Sequence, residues 1–387
     1  MIQLRHPVAH ISLLALSLTL SGTRATTARS AFPPLGPNYG MTVAPVTLQS
    51  IGIIKFASDG VLYVADSRAG AIYAIDVGDQ VRDTSTSGIT VSAIDEQIAT
   101  LLGVPASEIR IRDMAAHPTS QSLYFSVIRG QGPAAQPLIV RLTKADKRLS
   151  VVDLSNVRHA RAAIPDAASA DTTQPWERVS RSLTITDLAP TDGELYIAGL
   201  SNEEFRSALR RIPLPFDGTS KTTLVEVYHT SHDRFETASP IEAMTALTLR
   251  GQPVVLASYT CSPLAVFERQ ALRQQAQVRG RTIAELGGGN RPLDMITYTS
   301  PRDGKPYVLI ANSHRTLMRF DIEEIAAAPA MTTSVKRAYQ PGGVAYLPVS
   351  SYGVLQLDRF NRQNVVVLQR DPVDGSLDIS TQGLGWL

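Results

Sequence analysis

A short strand–turn–strand unit recurs six times along this chain, and that recurrence constrains the fold more than any other feature of the sequence. Each copy opens on a short apolar strand and passes a turn of Asp, Gly, Pro or Ser. A second strand follows, rich in Leu, Tyr, Val and Ile, and a third apolar strand returns. The clearest copies are IIKFASDGVLYVADSRAGAIYAIDV, from Ile53 to Val77, and LDMITYTSPRDGKPYVLIANSHRTLMRFDI, from Leu293 to Ile322. Others start at Ile111, Ile185 and Ala243, and a weaker sixth runs from Gly343 to Leu368, so that the starts lie 50 to 74 residues apart. Repeated β units of this period indicate a propeller. One such sheet cannot cover both of its faces, so neighbours must stack, and closing the stack into a ring hides the sheet edges. A β-sandwich, the alternative, accounts poorly for six similar copies. The expected fold is therefore all-β: a single β-propeller over residues 43–387, of six blades with seven as the alternative count. Each blade is expected to be a four-stranded antiparallel sheet facing a central channel. Closure is expected from Val43–Leu48 sharing a sheet with the C-terminal strands around Val365–Leu368 or Ser376–Ile379, because an open ring would leave an edge unpaired.

The stretches SDGVLYVADSRAGAIYAIDV and GNRPLDMITYTSPRDGKPYVLIANS resemble the YVTN and NHL-like group of propellers. The resemblance covers most of the chain after the N-terminal segment and implies architecture, while fold alone is silent on chemistry. It implies that the innermost strands line the channel. It also implies that the loops between blades, and the turns between second and third strands, open on one face.

The N-terminus reads as a targeting signal over residues 1–28. Arg5 and His6 precede an apolar run, Ile11–Leu20, too short to anchor in a bilayer, and small residues follow. Residues 29–42 are rich in Pro and Gly and are expected to be irregular. The expected location is periplasmic or extracellular, with no transmembrane segment. Two insertions break the repeat. Ser92–Leu102 has apolar residues at helical spacing, whereas Arg158–Arg181 is polar, lacks periodicity and reads as an exposed loop. The charge is nearly balanced, 37 Lys+Arg against 35 Asp+Glu, with no basic run interleaved with aromatics, which argues against a nucleic-acid surface. The single cysteine, Cys261, cannot close an internal disulfide, and the absence of C-x-x-C-H excludes covalently attached haem.

Candidate site residues fall into three sets. Asp113, Asp187 and Asp294 occupy matching places in IRDM, ITDL and PLDM, and Glu242 lies one residue early in IEAM; the first and sixth copies lack the acid. Carboxylates around one channel suit a hard cation such as calcium, but an Asp at such a place is also a common backbone cap. The second set follows the second strands: Asp66, Asn202, Cys261, Asn312 and His314, with Asn290 and Arg291 on the loop before the fifth copy. Together with the acids these resemble, in residue type, the Asn/Asp/Glu calcium cradle of six-bladed lactonase-type hydrolases, although the family's order is not reproduced. The third set is YHTSHDRFE, where His229, His232 and Glu236 offer zinc ligands or an acid–base pair on a loop. Cys261 reads either as a small buried residue or as a soft-metal ligand or nucleophile. G-x-S-x-G is absent, and Gly287–Asn290 lacks the Lys-Ser/Thr of a phosphate cradle. No ordered catalytic set is legible. The leading expectation is an exported binding or scaffold module that recognises a small ligand or a protein on its loop face. The alternative is a calcium-dependent hydrolase of lactone or ester type. A quinone-dependent or electron-transfer propeller is a weaker third.

Overall fold

The computed structural model describes residues 40–170, 180–335, 337 and 339–387. The expected signal peptide and most of the irregular segment lie outside the described residues. Among the described residues no helix is long and apolar enough to cross a membrane.

These residues form a six-bladed propeller of mainly antiparallel sheets, which settles the blade count. Blades are numbered here by the chain order of their innermost strands. Blade 2 (Ile109–Ala116, Leu123–Arg129, Gln136–Leu142, Leu149–Val151) is a four-stranded sheet. Blade 5 is another (Pro292–Thr299, Pro306–Asn312, Leu317–Asp321, Leu347–Val349). Blade 3 runs from Asp187–Thr191 outward to Lys221–His229, then adds the hairpin strand Arg234–Glu236 and the edge strand Gln277–Arg279. Blade 4 runs from Ile241–Leu249 to Arg281–Glu285, with Gly342–Gly343 at its edge. Blade 6 opens at Val354–Arg359, so the sixth copy begins later than the sequence suggested. The residues just before it, Gly342–Gly343 and Leu347–Val349, edge blades 4 and 5 instead.

Second strands are buried on both faces. Val61–Asp66 (VLYVAD) and Ala71–Asp76 (AIYAID) have every residue buried, because each sheet is covered by a neighbour on either side. That is why these segments read as continuous apolar runs rather than as an alternation. Six apolar clusters fill the junctions, one between each adjacent pair of blades. Ile54, Leu62 and Tyr73 of blade 1 meet Ala115 and Tyr124 of blade 2, for example, and Tyr63 meets Leu188 and Ile197 of blade 3.

The ring does not follow the chain. Blade 1 packs against blades 2 and 3, and blade 2 packs against blade 6, giving the circular order 2–1–3–4–5–6. The first two copies have exchanged places. Two strands make this work. The chain leaves blade 1 after Ala71–Asp76 and pairs Thr90–Val91 with Leu377–Gly383 as the outer strand of blade 6. It then builds blade 2 and returns through Val157–Ala163, which pairs with Ala71–Asp76 as the fourth strand of blade 1. Closure therefore runs through Thr90–Val91, and the expectation that Val43–Leu48 would close the ring is corrected: Thr42–Ala44 pairs with His159, Arg158 and Val157 on the outside of blade 1. The expected loop Arg158–Arg181 is corrected in the same way, since its first residues are that fourth strand and Arg181 lies in the short turn Ser180–Leu183. Residues 171–179 lie outside the described residues. The expected helix is present at Ile94–Leu102, with Ile94 and Ile98 buried.

One glycine is dictated by close approach. A Cβ on Gly199, in the second strand of blade 3, would sit 2.0 Å from the Thr184 carbonyl oxygen. Because the obstacle is backbone, Gly199→Ala is expected to cost about 1–3 kcal/mol in urea denaturation. A loss too small to measure would mean that the segment before blade 3 yields freely.

Candidate functional site

The channel is held by carboxylates on the innermost strands. Asp113 accepts the backbone N–H of Met114 on its own strand at 2.9 Å and that of Ile54, on blade 1, at 2.8 Å. Asp187 does the same for Leu188 at 2.8 Å and Met244, on blade 4, at 2.6 Å. Asp294 repeats it for Met295 at 2.8 Å and Leu357, on blade 6, at 2.9 Å. Each acid thus caps its own strand and staples a neighbouring blade, supplying hydrogen bonds that separate sheets cannot make to each other. A fourth acid, Asp358 on blade 6, accepts the Ala116 N–H of blade 2 at 2.9 Å.

Among these carboxylates lies Lys55, on the innermost strand of blade 1. Its Nζ is 3.2 Å from Asp294 Oδ1, and the two side chains are 12% and 4% exposed. Burial alone would lower the Lys55 pKa, but Asp294, Asp187, Asp113 and Asp358 outweigh it and hold the ammonium well above its ordinary value. One ammonium cannot neutralise four carboxylates, and burial favours the protonated form of three of them. Burial pushes Asp113 and Asp358 up against the opposing pull of Lys55, and pushes Asp187 up to about 7.

A calcium ion requires six to eight oxygen ligands turned toward it. Here both oxygens of Asp113, Asp187 and Asp294 already accept backbone N–H bonds, and Lys55 shares their space. Glu242 stands apart, accepting from Thr260 Oγ1 at 2.7 Å. The residues do not fit the cradle.

The channel opens at the starts of the innermost strands into a cavity of about 420 Å³. Every blade contributes a wall: Ile53, Arg112, Thr186, Glu242, Leu293 and Gln356. Arg68, Arg181 and Arg291 join Arg112, so four arginines and one acid line the mouth. Each arginine is placed by its element. Arg68 sits in the turn after Val61–Asp66, which Asp66 locks by accepting the N–H groups of Gln49, Ser50 and Ala69 at 2.7–3.0 Å. Arg181 donates to the Ala168 carbonyl at 3.1 Å. The segment carrying it is gripped by the fully buried Arg210, which bonds Asp166 at 2.8 Å, the Thr184 carbonyl at 3.0 Å and the Leu200 carbonyl at 2.9 Å. Arg291 precedes the innermost strand of blade 5, and no ion pair is found for it or for Arg68 among the described residues. The opposite end of the channel opens into about 650 Å³ lined by Lys55, Phe56, Tyr298, Phe360 and charges of both signs.

The remaining predicted residues divide. Asn290, Asn312 and His314 do come together: Asn290 Nδ2 donates to Asn312 Oδ1 at 2.8 Å, and His314 N donates to Asn290 Oδ1 at 3.3 Å. Asn312 is otherwise spent on the Ile310 and Thr316 carbonyls. Asn202 is exposed and bonds the Asp166 carbonyl at 3.0 Å, outside the mouth cavity. His232 and Glu236 form a separate group on the outer hairpin of blade 3, and YHTSHDRFE is a strand end and tight turn rather than an extended loop. Burial, and then Glu236, Glu285 and Glu242, push the Cys261 thiol up, which makes it a poor nucleophile.

No family model and no curated protein matches the chain. Among solved structures, it is similar to an extracellular domain from B. thetaiotaomicron at 10% identity and a TM-score of 0.33, covering 86% of this chain and 32% of that one. It is also similar to the Dos1 propeller, at 12% identity and a TM-score of 0.30, covering 87% and 67%. A chain of the mitotic checkpoint complex matches at 9% identity and a TM-score of 0.30, covering 96% and 99%. The chain spans about a third of the length of the bacterial domain. The fold is fixed by the strand pairing above and not by these likenesses.

Proposed function

We propose that this protein is an exported, non-catalytic binding module that takes a small anionic ligand, bearing carboxylate or phosphate groups, at the mouth of its channel. The observation that carries this reading is the set Arg68, Arg112, Arg181 and Arg291 around a cavity of about 420 Å³ that holds a single acid, Glu242. Guanidinium forks match the geometry of carboxylate and phosphate oxygens, which accept two parallel N–H bonds. The cavity has the size of a small-molecule site and is not a flat protein-docking face. The six-bladed wall around it, stapled at the inner strands, fixes the backbone positions from which the arginines reach the cavity before a ligand arrives, which lowers part of the ordering cost of binding. Export rests on the charge, apolar-run and small-residue order of residues 1–28. The Cys261 thiol is not among the residues lining the mouth.

Calorimetry with citrate and inorganic phosphate, against a neutral sugar at the same ionic strength, tests the reading. Citrate is expected to bind, and to bind more weakly as salt rises. A hydrogen bond to a charged group contributes about 1.5–3 kcal/mol, so Arg291→Ala and Arg68→Ala should each weaken citrate roughly ten- to a hundredfold. Glu242→Gln should strengthen it. Binding that neither arginine variant changes, or no binding of either anion, would overturn the proposal.

A further inference from the structure

Outside the residues that line the mouth cavity, the outer hairpin of blade 3 meets the turn after the second strand of blade 4. There His229, His232 and Cys261 bring their ligand atoms within 4.8 Å of one another, the group of this kind found among the described residues. His229 is buried, Cys261 is partly buried, and His232 is the exposed member, with 43% of its side chain accessible.

The two imidazoles share one carboxylate. His229 Nδ1 lies 2.7 Å from Glu236 Oε2, and His232 Nδ1 lies 2.6 Å from Glu236 Oε1. Glu236 is itself fixed, accepting from Ser239 Oγ at 2.9 Å and Arg234 Nε at 3.1 Å. With Nδ1 of each ring donating to that carboxylate, the neutral ring presents its Nε2 lone pair on the other side. That is the carboxylate–histidine arrangement that turns Nε2 toward a metal ion and raises its basicity.

The buried ring ties the two blades together at this point. His229 Nε2 lies 3.3 Å from the Cys261 carbonyl oxygen, so the outer nitrogen of the buried ring reaches the turn that carries the thiol. Cys261 and Ser262 are both held at positive φ, 61° and 74°, and this conformation, unfavourable for non-glycine residues, presents the Cys261 turn to His229.

We propose that His229, His232 and Cys261 bind a zinc ion, with Glu236 as the carboxylate behind both histidines. Two imidazole nitrogens and a thiolate suit a borderline-soft divalent cation rather than calcium or magnesium. Around a tetrahedral zinc the three ligand atoms would stand about 3.4–3.6 Å apart, and the exposed His232 ring has room to close the difference. Because the histidines belong to blade 3 and the cysteine to blade 4, the ion pins those blades together. Its fourth position faces solvent. The proposal is independent of the anion site.

Cobalt(II) is the probe, added to chelator-treated protein under a thiol-free reductant, with zinc added afterwards. The expected result is a near-ultraviolet thiolate-to-cobalt band at stoichiometric loading, abolished by zinc, together with a zinc-dependent rise in melting temperature. Cys261→Ser should remove the band. Glu236→Gln should keep it while weakening zinc about 10–100-fold. His232→Ala, an exposed substitution that leaves the fold intact, should weaken zinc at least as much as Glu236→Gln. Absence of the band in the wild-type protein would overturn the site. So would zinc stabilisation that survives unchanged in both Cys261→Ser and His232→Ala.

Discussion

Lys55→Met is expected to destabilise the propeller by about 3–5 kcal/mol at pH 8, the usual cost of removing one partner from a buried ionic set. Methionine keeps most of the apolar stem, so the loss reports the charge and not a cavity. Without the ammonium, Asp113, Asp187, Asp294 and Asp358 face one another with backbone N–H groups as their remaining partners. Asp113, Asp187 and Asp358, which Lys55 pulls down, then hold their protons to higher pH, which fixes the sign of the pH dependence. In the wild-type protein Asp187 has a folded pKa of about 7, against an ordinary value of 3.8. The folded state therefore keeps a proton that the unfolded chain releases, and this group's contribution to stability falls as pH rises from about 4 to 7. Removing Lys55 extends that decline above pH 7. The deficit of Lys55→Met should be smaller near pH 5, where Asp187 holds its proton, and larger at pH 8, where it has lost it. Urea denaturation at both pH values checks it, and adding Asp294→Asn should recover part of the loss, because the two residues are coupled. A deficit independent of pH, or strictly additive with Asp294→Asn, would mean that the ammonium is not what holds the acids together.

The architecture was legible because both faces of each second strand are covered. That burial writes runs such as VLYVAD and PYVLIAN, which recur often enough to count blades. The exchange of the first two blades was not legible. It depends on which edges Thr90–Val91 and Val157–Ala163 occupy, and neither segment advertises itself. The first is two residues long. The second is an outer strand whose His159, Arg161 and Ala163 face outward, so it reads as polar loop. The site was half legible. The matching places of Asp113, Asp187 and Asp294 were visible, and so was the need for something to offset them. Lys55 was missed, although a signal exists: the copy that lacks the acid, IIKFA, is the one that carries a base. Asp358, in the other copy lacking the acid, stands two residues beyond the acid's place, which Gln356 fills, and so corresponds to Lys55. The mouth arginines could not have been grouped from sequence. Arg68, Arg112, Arg181 and Arg291 come from a turn, a strand, a short helical turn and a loop on four different blades, and ring closure alone brings them together.

Deleting residues 377–387 is expected to abolish cooperative folding rather than trim a tail. The segment supplies the third strand of blade 6, pairing along its length with Asn364–Arg370. It is also the sheet to which Thr90–Val91 is bonded, so its loss frees the strand that closes the ring. Further links go with it: Ala93 N to Asp378 at 2.8 Å, Leu377 N to Asp95 at 3.0 Å, and Ile89 N to Thr381 Oγ1 at 3.1 Å. These tie the start of the helix Ile94–Leu102 to the C-terminal strand. Four buried apolar side chains leave as well, Leu377, Ile379, Leu384 and Leu387. At about 1.5–3 kcal/mol for each such side chain, the loss is on the order of the total stability of a typical domain, roughly 5–15 kcal/mol. The truncated protein should show no sigmoidal melting transition by circular dichroism. The point variant Ile379→Ala, which keeps the strand, should fold and lose about 2–5 kcal/mol. The propeller stacks its blades through apolar junctions on both sides, so an unpaired Val365–Leu368 would expose the core clusters of blades 5, 6 and 2 together. A truncated protein that melts at the wild-type temperature would show that the ring stays shut without the Thr90–Val91 pairing, and the closure described here would be wrong.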